Sequence, residues 1–318
     1  MERADPQVLA KHWRWEKDRE GLVWLTFDKQ GESANTFNRE AMRELSQTLE
    51  QIAAAKPRGV IICSAKDGFV AGADVEEFTK FKTPDDMMSL VKLGWDVFEE
   101  LSELPFPTTA MVNGFCMGGG VELALACRYR VALDDKARFA LPEVMLGIMP
   151  AWHGVQWLPK LVGPAAAFDM LLTGKTVDAK RAKRMGLVDQ AVPARILENT
   201  ARMVTLEAKP RPQLSLINRL MAGPLKGLVV SQARKQVAKK ARREHYPSPY
   251  AILELWRKYD GNPFLASGDP SASVESLFAH PTTANLIRIF FLQERMKSLG
   301  KGSDFKARHV HIVGAGVM

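Results

Sequence analysis

The segment Met111–Cys127 reads MVNGFCMGGGVELALAC and places four glycines within seven positions, just before a predicted helix. Glycine has no Cβ, so its backbone can approach a ligand closely, and the first turn of a helix has free N–H groups that favour negative charge. The segment therefore suits either a phosphate or a site where negative charge develops during a reaction. It lacks the G-K-[ST] ending of a nucleotide-binding loop, which counts against the phosphate.

Two glutamates stand in or near this segment. Glu122 comes two residues after the last glycine, where it could complement the helix dipole or act on a substrate. Glu143 lies in ALPEVMLGIMP, where it is either a surface residue or a carboxyl group whose pKa is adjusted by partial burial. If the two side chains met in an apolar pocket, they could divide acid and base work over one water molecule.

A third segment, KDGFVAGADVEEF, follows the predicted buried strand Gly59–Ala65. Its small residues Ala71, Gly72 and Ala73 could leave backbone N–H groups free for a ligand. A tight turn explains the same residues equally well.

The order of predicted elements indicates an α/β fold. Residues 12–28 predict a hairpin, and the pattern of residues 38–55 predicts a helix. Further strands are predicted at 108–113 and 129–133, and residues 157–185 have a helical pattern with a turn at LTGK. A boundary near Val192–Ala194 divides the chain into a domain of residues 1–194, a mostly helical extension of 195–308, and a final segment of 309–318.

Composition and charge narrow the classes of function. Of the 318 residues, 46% are hydrophobic and three are cysteines without paired spacing, so no disulfide framework or zinc site is expected. The charged amino terminus shows no signal peptide, which predicts a cytoplasmic protein. The net charge of +8 favours an anionic ligand. Seven basic residues and no acid lie within 226–243, which is either the solvated face of an amphipathic helix or a binding surface.

The motifs together resemble those of the crotonase (enoyl-CoA hydratase/isomerase) family over roughly residues 20–195. They occur in the family's order: AGAD, NG with GGGVELA, PE with LGIMP, LTGK and AKRMGLVD. The resemblance implies a spiral of ββα units, followed here by the helical extension. It also implies reversible hydration of trans-2-enoyl-CoA to 3-hydroxyacyl-CoA in fatty-acid β-oxidation. A near alternative is the shift of a 3,4 double bond to the 2,3 position at the same site.

The resemblance also assigns roles to residues. Glu122 and Glu143 match the catalytic glutamates, and the N–H groups of Ala71 and Gly119 match the pair that holds the thioester oxygen. The path of coenzyme A, which is part of the substrate, would be lined by Ala71, Gly72, Ala73, Asp74 and Gly118. No metal and no separate cofactor are implied for the hydration step.

One segment departs from the family pattern. After Pro150 the family usually has GxGG and then an arginine, whereas this sequence reads AWHGVQW. Trp152 and His153 thus stand where small residues are usual, and Trp157 replaces the arginine. The change indicates either a repacked wall of the acyl pocket or a new role for His153 as an acid/base group or a gate for acyl length.

The carboxy-terminal part is similar to that of multifunctional fatty-acid oxidation enzymes, in which a hydratase domain precedes a 3-hydroxyacyl-CoA dehydrogenase. The final VGAGVM, with Gly314 and Gly316, matches the start of a G-x-G-x-x-G motif, so NAD is expected only in a dehydrogenase domain that lies beyond this sequence. An alternative of another class is that this chain serves mainly to dock a thiolase subunit. An oligomer is possible, membrane-surface contact is not expected, and no motif supports nucleic-acid binding.

Overall fold

The computed structural model describes residues 10–81, 83–210 and 213–299, together with His309 and His311. Within these ranges the strands are β1 (Trp13–Lys17), β2 (Leu22–Phe27), β3 (Gly59–Ser64), β4 (Thr108–Val112), β5 (Phe115–Met117), β6 (Tyr129–Leu133), β7 (Arg138–Ala140), β8 (Val177–Asp178) and β9 (Gln190–Val192). The final Gly314 and Gly316 lie outside the described residues.

Helices alternate with the strands and then follow them. The α-helices are α1 (Arg39–Ala54), α2 (Val75–Phe78), α3 (Pro84–Glu103), α4 (Gly119–Ala126), α5 (Gly154–Val162), α6 (Pro164–Leu171), α7 (Ala179–Arg184), α8 (Leu197–Glu207), α9 (Leu216–Ala222), α10 (Lys226–Ala238), α11 (Ser248–Tyr259), α12 (Val274–Phe278) and α13 (Pro281–Ser298). Two 3₁₀ helices span Pro142–Leu146 and Ala194–Ile196. No described helix combines the length and the apolar character that crossing a bilayer requires.

The strands form two sheets, and the units β4-β5-α4 and β6-β7-α5 each contribute one strand to each sheet. The larger sheet has the order β1-β2-β3-β4-β6-β9, with β1 antiparallel at the edge and the other pairs parallel. The smaller sheet has the order β5-β7-β8. Strand β4 lies in the large sheet, β5 lies in the small sheet, and α4 follows them. Strands β6 and β7 are divided between the two sheets in the same way, and α5 follows them. The expected α/β spiral of ββα units is confirmed.

The buried faces follow the sequence pattern. Strands β2 and β6 are almost fully buried, as expected of strands covered on both faces. The predicted hairpin is present, with Trp13 opposite Phe27 and their rings stacked at 4.2 Å. Helix α1 begins after Asn38, whose side chain accepts a hydrogen bond from the N–H of Ala41 and caps the helix.

Two local predictions need correction. The helical pattern predicted for 157–185 is interrupted twice. Gly163 has a φ of 84° and Pro164 starts a new helix, and further along the chain β8 joins the small sheet. The small sheet itself was not predicted, since its strands have only two or three residues, too few to show a period.

The helices after β9 are packed on the spiral. On α8, Thr205 shares a 2.7 Å hydrogen bond with Thr109 of β4, and both hydroxyl groups are buried. On α11, Ser248 donates a hydrogen bond to the carbonyl of Ile148. The expected helical extension is therefore present, whereas its boundary near Ala194 stays a prediction.

Candidate active site

An apolar pocket lies where α4, the 3₁₀ helix Pro142–Leu146 and the turn before α5 meet. Both predicted glutamates, Glu122 and Glu143, line it. Ala73 and Gly119 line it as well. Most of the remaining wall is apolar and comes from Phe78, Phe81, Met87, Leu90, Val91, Ile148, Met149, Trp152, Val274 and Phe278.

Two of the three consecutive glycines, Gly118 and Gly119, are required by the crowding around this pocket. Gly118 has a φ of 52°, and a Cβ built on it would lie 2.6 Å from Oε1 of Glu143. A Cβ on Gly119 would lie 2.6 Å from the ring of Trp152. Since real Cβ atoms do not approach other atoms so closely, side chains at these positions would displace Glu143 or the pocket wall.

Glu122 is held by the turn before α5. Its side chain is buried, and its Oε1 accepts hydrogen bonds of 2.8 Å from the backbone N–H groups of Trp152 and Gly154. Burial raises the pKa of Glu122 to about 7, although the two N–H groups lower it. Because these donors belong to another segment, Glu122 is not simply a partner of its own helix dipole.

Glu143 has a different environment. Its Oε2 is buried and has no hydrogen-bond partner among the described residues, although the residue as a whole is partly exposed. Burial, and then the charge of Glu122, raise the pKa of Glu143 well above its ordinary value. Of the two carboxyl groups, Glu122 is therefore the more readily ionised.

The structure corrects the predicted pair of backbone donors. The N–H of Ala71 donates to the carbonyl of Asn35 at 2.8 Å, so it is not available to a substrate. By contrast, the N–H groups of Ala73 and Gly119 have no acceptor within the described ranges, and both residues line the pocket. A Cβ built on Gly72 would lie 3.7 Å from the nitrogen of Gly119, so the two segments are adjacent.

The other predicted residues are placed as follows. Trp152 forms pocket wall, packed edge-on against Phe37 and Phe98. His153 does not line the pocket, so its assignment to the acyl pocket, as an acid/base group or as a gate, is wrong. Asp74 caps α2 and pairs with the buried Lys29 at 3.3 Å.

The carboxy-terminal helices supply pocket residues that no sequence motif indicates. Val274 and Phe278 on α12 close one side, where Phe278 lies 5.8 Å from the ring of Phe81. No local pattern marks these residues, because their role depends on how the extension folds back.

One other cluster has the composition of a metal site. The ligand atoms of His12, Glu40 and Glu44 lie within 4.8 Å of one another. However, Nδ1 of His12 accepts a hydrogen bond from the N–H of Gln30, which leaves the proton on Nε2 to donate to Glu40. The cluster is thus satisfied by hydrogen bonds without an ion.

Comparisons with known proteins agree with this geometry. The family model described as enoyl-CoA hydratase/isomerase matches residues 17–241. The fatty acid oxidation complex subunit alpha of Shewanella loihica is 40% identical over 310 residues, covering 94% of this chain and 44% of the relative. That of Aliivibrio fischeri is 37% identical, covering 96% and 45%. This chain thus spans about half the length of the curated relatives that it matches.

A solved structure of an enoyl-CoA hydratase is similar to this chain in fold. An enoyl-CoA hydratase from Bacillus anthracis superposes with a TM-score of 0.58 at 28% identity, covering 74% of this chain and 94% of that one. The chain belongs to the enoyl-CoA hydratase/isomerase family.

Proposed function

We propose that the pocket hydrates trans-2-enoyl-CoA to 3-hydroxyacyl-CoA. The observation that carries this proposal is the joint presence of two carboxyl groups and two backbone N–H groups around one apolar pocket. The N–H groups are those of Ala73 and Gly119, which have no acceptor among the residues that the structure describes. Hydration of an enoyl thioester needs both sets of groups. The donors stabilise charge on the thioester oxygen, and the carboxyl groups move protons to and from water.

The donors act on the carbonyl. Hydrogen bonds from Ala73 and Gly119 to the thioester oxygen draw electrons from the double bond, so C3 accepts a nucleophile and an enolate-like charge grows on oxygen. Loss of one such donor costs on the order of 100- to 1000-fold in rate. Gly119 opens α4, so the helix dipole also favours this charge.

The two carboxyl groups have separate tasks. Ionised Glu122 accepts a proton from water as the water oxygen bonds to C3. Protonated Glu143 then gives its proton to C2, which completes the addition of H and OH. Transfer of the proton from Glu122 to Glu143 restores the starting state. Each acid–base step contributes about 100- to 10,000-fold.

The surroundings of the pocket suit the rest of the substrate. The apolar wall would receive the acyl chain, and the net charge of +8 favours the anionic coenzyme A. Within this mechanism no metal or redox cofactor takes part. NAD would belong to a dehydrogenase part of the longer protein.

We further propose that the chain works in a fatty-acid oxidation complex, as the names of its longer relatives suggest. A thiolase partner, an oligomeric state and a cytoplasmic location stay predictions.

The test follows the absorbance of the enoyl thioester with crotonyl-CoA and with a long-chain enoyl-CoA. Wild type is expected to consume at least one substrate, and Glu143→Gln to be slower by about 100-fold or more, because it cannot give a proton to C2. The exposed Glu103 provides a matched control, so Glu103→Gln should retain full activity.

Product analysis identifies the reaction. A 3-hydroxyacyl-CoA product supports hydration, whereas conversion of a 3-enoyl-CoA without uptake of water would indicate the isomerase alternative. A folded wild-type chain that acts on neither substrate would contradict the proposal and favour a docking role.

A further inference from the structure

The turn Pro150–Gly154 determines how Glu122 is presented to the pocket. The N–H groups of Trp152 and Gly154 both donate to Oε1 of Glu122, each at 2.8 Å. Two donors on one oxygen fix the plane of the carboxylate and leave Oε2 to accept a proton from water. The residue between the two donors is His153.

The backbone of His153 is in an unusual conformation. Its φ is 77° and its ψ −2°, in the left-handed region that non-glycine residues rarely adopt. The other described non-glycine residues with positive φ all lie at or just beyond the carboxy-terminal end of a helix: Lys56, Ala208 and Asp260. His153 instead precedes a helix, and its conformation turns the N–H groups on either side of it toward the same oxygen.

The side chain of His153 is clamped on both faces. Its ring stacks on Trp95 of α3 with centroids 3.4 Å apart, and on Trp157 of α5 with centroids 3.8 Å apart. Its Nε2 lies 3.2 Å from the carbonyl of Trp95, and its Nδ1 lies 2.8 Å from the side-chain amide of Gln156. The stack and these contacts fix the ring relative to two helices.

The position of the His153 ring suits it to hold the turn in place and not to transfer protons. It is 1% exposed and does not line the pocket. Burial lowers the pKa of His153, so the ring is neutral at physiological pH. His153 and Trp157 are also two of the residues by which this segment departs from the family pattern, and here they touch each other face to face.

We propose that His153 is a positioning residue for Glu122, whose clamped ring holds the turn so that Trp152 and Gly154 bind one oxygen of that carboxylate. This inference rests on the proposed hydratase function. The opposing reading is that the ring only fills space between Trp95 and Trp157. The two readings differ in whether loss of the ring changes the catalytic step and its pH dependence.

Within the described part of the chain, three charged groups face Glu122 or the clamped ring. Glu143 faces Glu122 from the 3₁₀ helix, while Lys160 on α5 and Asp96 on α3 face His153. All three are left unchanged in the variants below, so a shift in the pH profile reports on the turn.

The variants remove the ring while keeping the backbone conformation accessible. His153→Asn and His153→Gly both tolerate positive φ. We expect kcat to fall by about 10- to 100-fold, because a small displacement of a catalytic group has an effect of that size. We expect KM to change by less than about threefold, since the ring does not contact the substrate.

The acid limb of the pH profile gives a second readout. The two N–H groups stabilise ionised Glu122, so loosening them raises the pKa of that carboxyl further. The acid limb of kcat is therefore expected to move to higher pH in both variants. Trp157→Leu, which removes one face of the clamp without changing residue 153, should give a smaller shift in the same direction. The exposed His245 provides the control, and His245→Asn should change neither readout.

An activity-independent measurement separates this inference from the proposed function. In wild type, the amide protons of Trp152 and Gly154 should resonate far downfield and titrate with Glu122, and in His153→Asn they should move upfield. Folded variants with unchanged kcat, acid limb and amide shifts would overturn the inference. Wild-type amide protons without a downfield shift would overturn it even if the variants failed to fold. An inactive wild type that retains the amide pattern would contradict the proposed function alone.

Discussion

At the scale of single residues, Glu122 and Glu143 show how one carboxyl group becomes a base and its neighbour an acid. Both are placed in an apolar pocket, and burial raises both pKa values. Two N–H groups moderate the effect at Glu122, whereas Oε2 of Glu143 has no partner among the described residues. The difference in hydrogen bonding therefore assigns the tasks, since chemically the two side chains are the same.

This arrangement has a cost in stability, which leads to a prediction for Glu122→Gln. The pKa of Glu122 is raised from 4.5 to about 7 in the folded chain, so the native state favours the neutral form. The contribution of Glu122 to the free energy of unfolding is fully present below pH 4.5 and is lost as the pH rises through 7. Neutral glutamine escapes this loss, so the variant should be more stable than wild type above pH 7, by on the order of 3 kcal/mol.

Urea unfolding at pH 4, 6 and 8.5 checks this prediction. At pH 4 the free energy of unfolding of the variant should be only slightly larger than that of wild type. The difference should grow with pH and become constant above pH 7. The same change at the exposed Glu103 should give no comparable trend. A Glu122→Gln variant that is less stable than wild type at pH 8.5 would contradict the assignment of Glu122 as a buried carboxylate.

The sequence predicted which glutamates matter but not every contact around them. Glu122 and Glu143 stand in recognisable motifs, and the structure brings them to one pocket. By contrast, Ala71 and Ala73 are identical residues in one motif, and only backbone dihedral angles decide which N–H is free. Gly72 between them has a φ of 101°, so successive N–H groups point in different directions. No residue pattern specifies that direction.

At the scale of elements, α4 is the central piece because its two ends have different tasks. Its amino-terminal end carries Gly119 and Glu122 into the pocket. Its carboxy-terminal end is held by the buried Arg130, whose guanidinium donates to the carbonyls of Ala124 and Cys127. The same side chain also donates to the carbonyl of Leu187 and lies 3.6 Å from Asp189. A cation at this end also complements the helix dipole.

We expect Arg130→Met to destabilise the chain by on the order of 3 kcal/mol, because it leaves three buried carbonyls without donors. Residual activity per folded molecule should fall too, since α4 orients the Gly119 donor. Thermal unfolding and specific activity at a temperature where the variant is folded measure the two effects.

Arg128 offers a matched control two residues earlier. It is exposed, and its guanidinium lies over the ring of Tyr129, so Arg128→Met should cost much less. Equal losses at the two positions would mean that charge near β6, and not the cap on α4, accounts for the effect. The role of Arg130 could not be predicted from sequence, because an isolated arginine in YRVAL is indistinguishable from a surface residue.

At the scale of the whole molecule, the helical extension behaves as part of the structure that forms the site. The hydroxyl of Thr283, at the start of α13, lies 3.0 Å from the carbonyl of Gly147, directly behind the 3₁₀ helix of Glu143. Phe278 and Val274 close the pocket, and Trp256 of α11 packs edge-on against Phe168 of α6 at 5.0 Å. The alternation of strands and helices predicted the spiral, but the return of these helices to the pocket depends on contacts distant in sequence.

These contacts predict that the chain unfolds in one cooperative transition. The parts of the chain before and after Ala194 could unfold independently only if few buried contacts joined them. Instead, α8 contributes Thr205 to the buried face of the large sheet, and α11–α13 support the segment that carries Glu143. Loss of either part would expose apolar surface of the other, so neither should melt alone.

Differential scanning calorimetry of the full chain measures this directly. A single peak is expected, with equal calorimetric and van't Hoff enthalpies. Thr283→Val removes the hydroxyl contacts to the carbonyls of Gly147 and Leu277 with little change in shape, so it should lower the midpoint of that single peak without splitting it. Two resolved peaks would instead show that the extension is an independent domain. In that case the pocket would lose its α12 wall before the spiral unfolds, and activity toward long-chain substrates would disappear at the first transition.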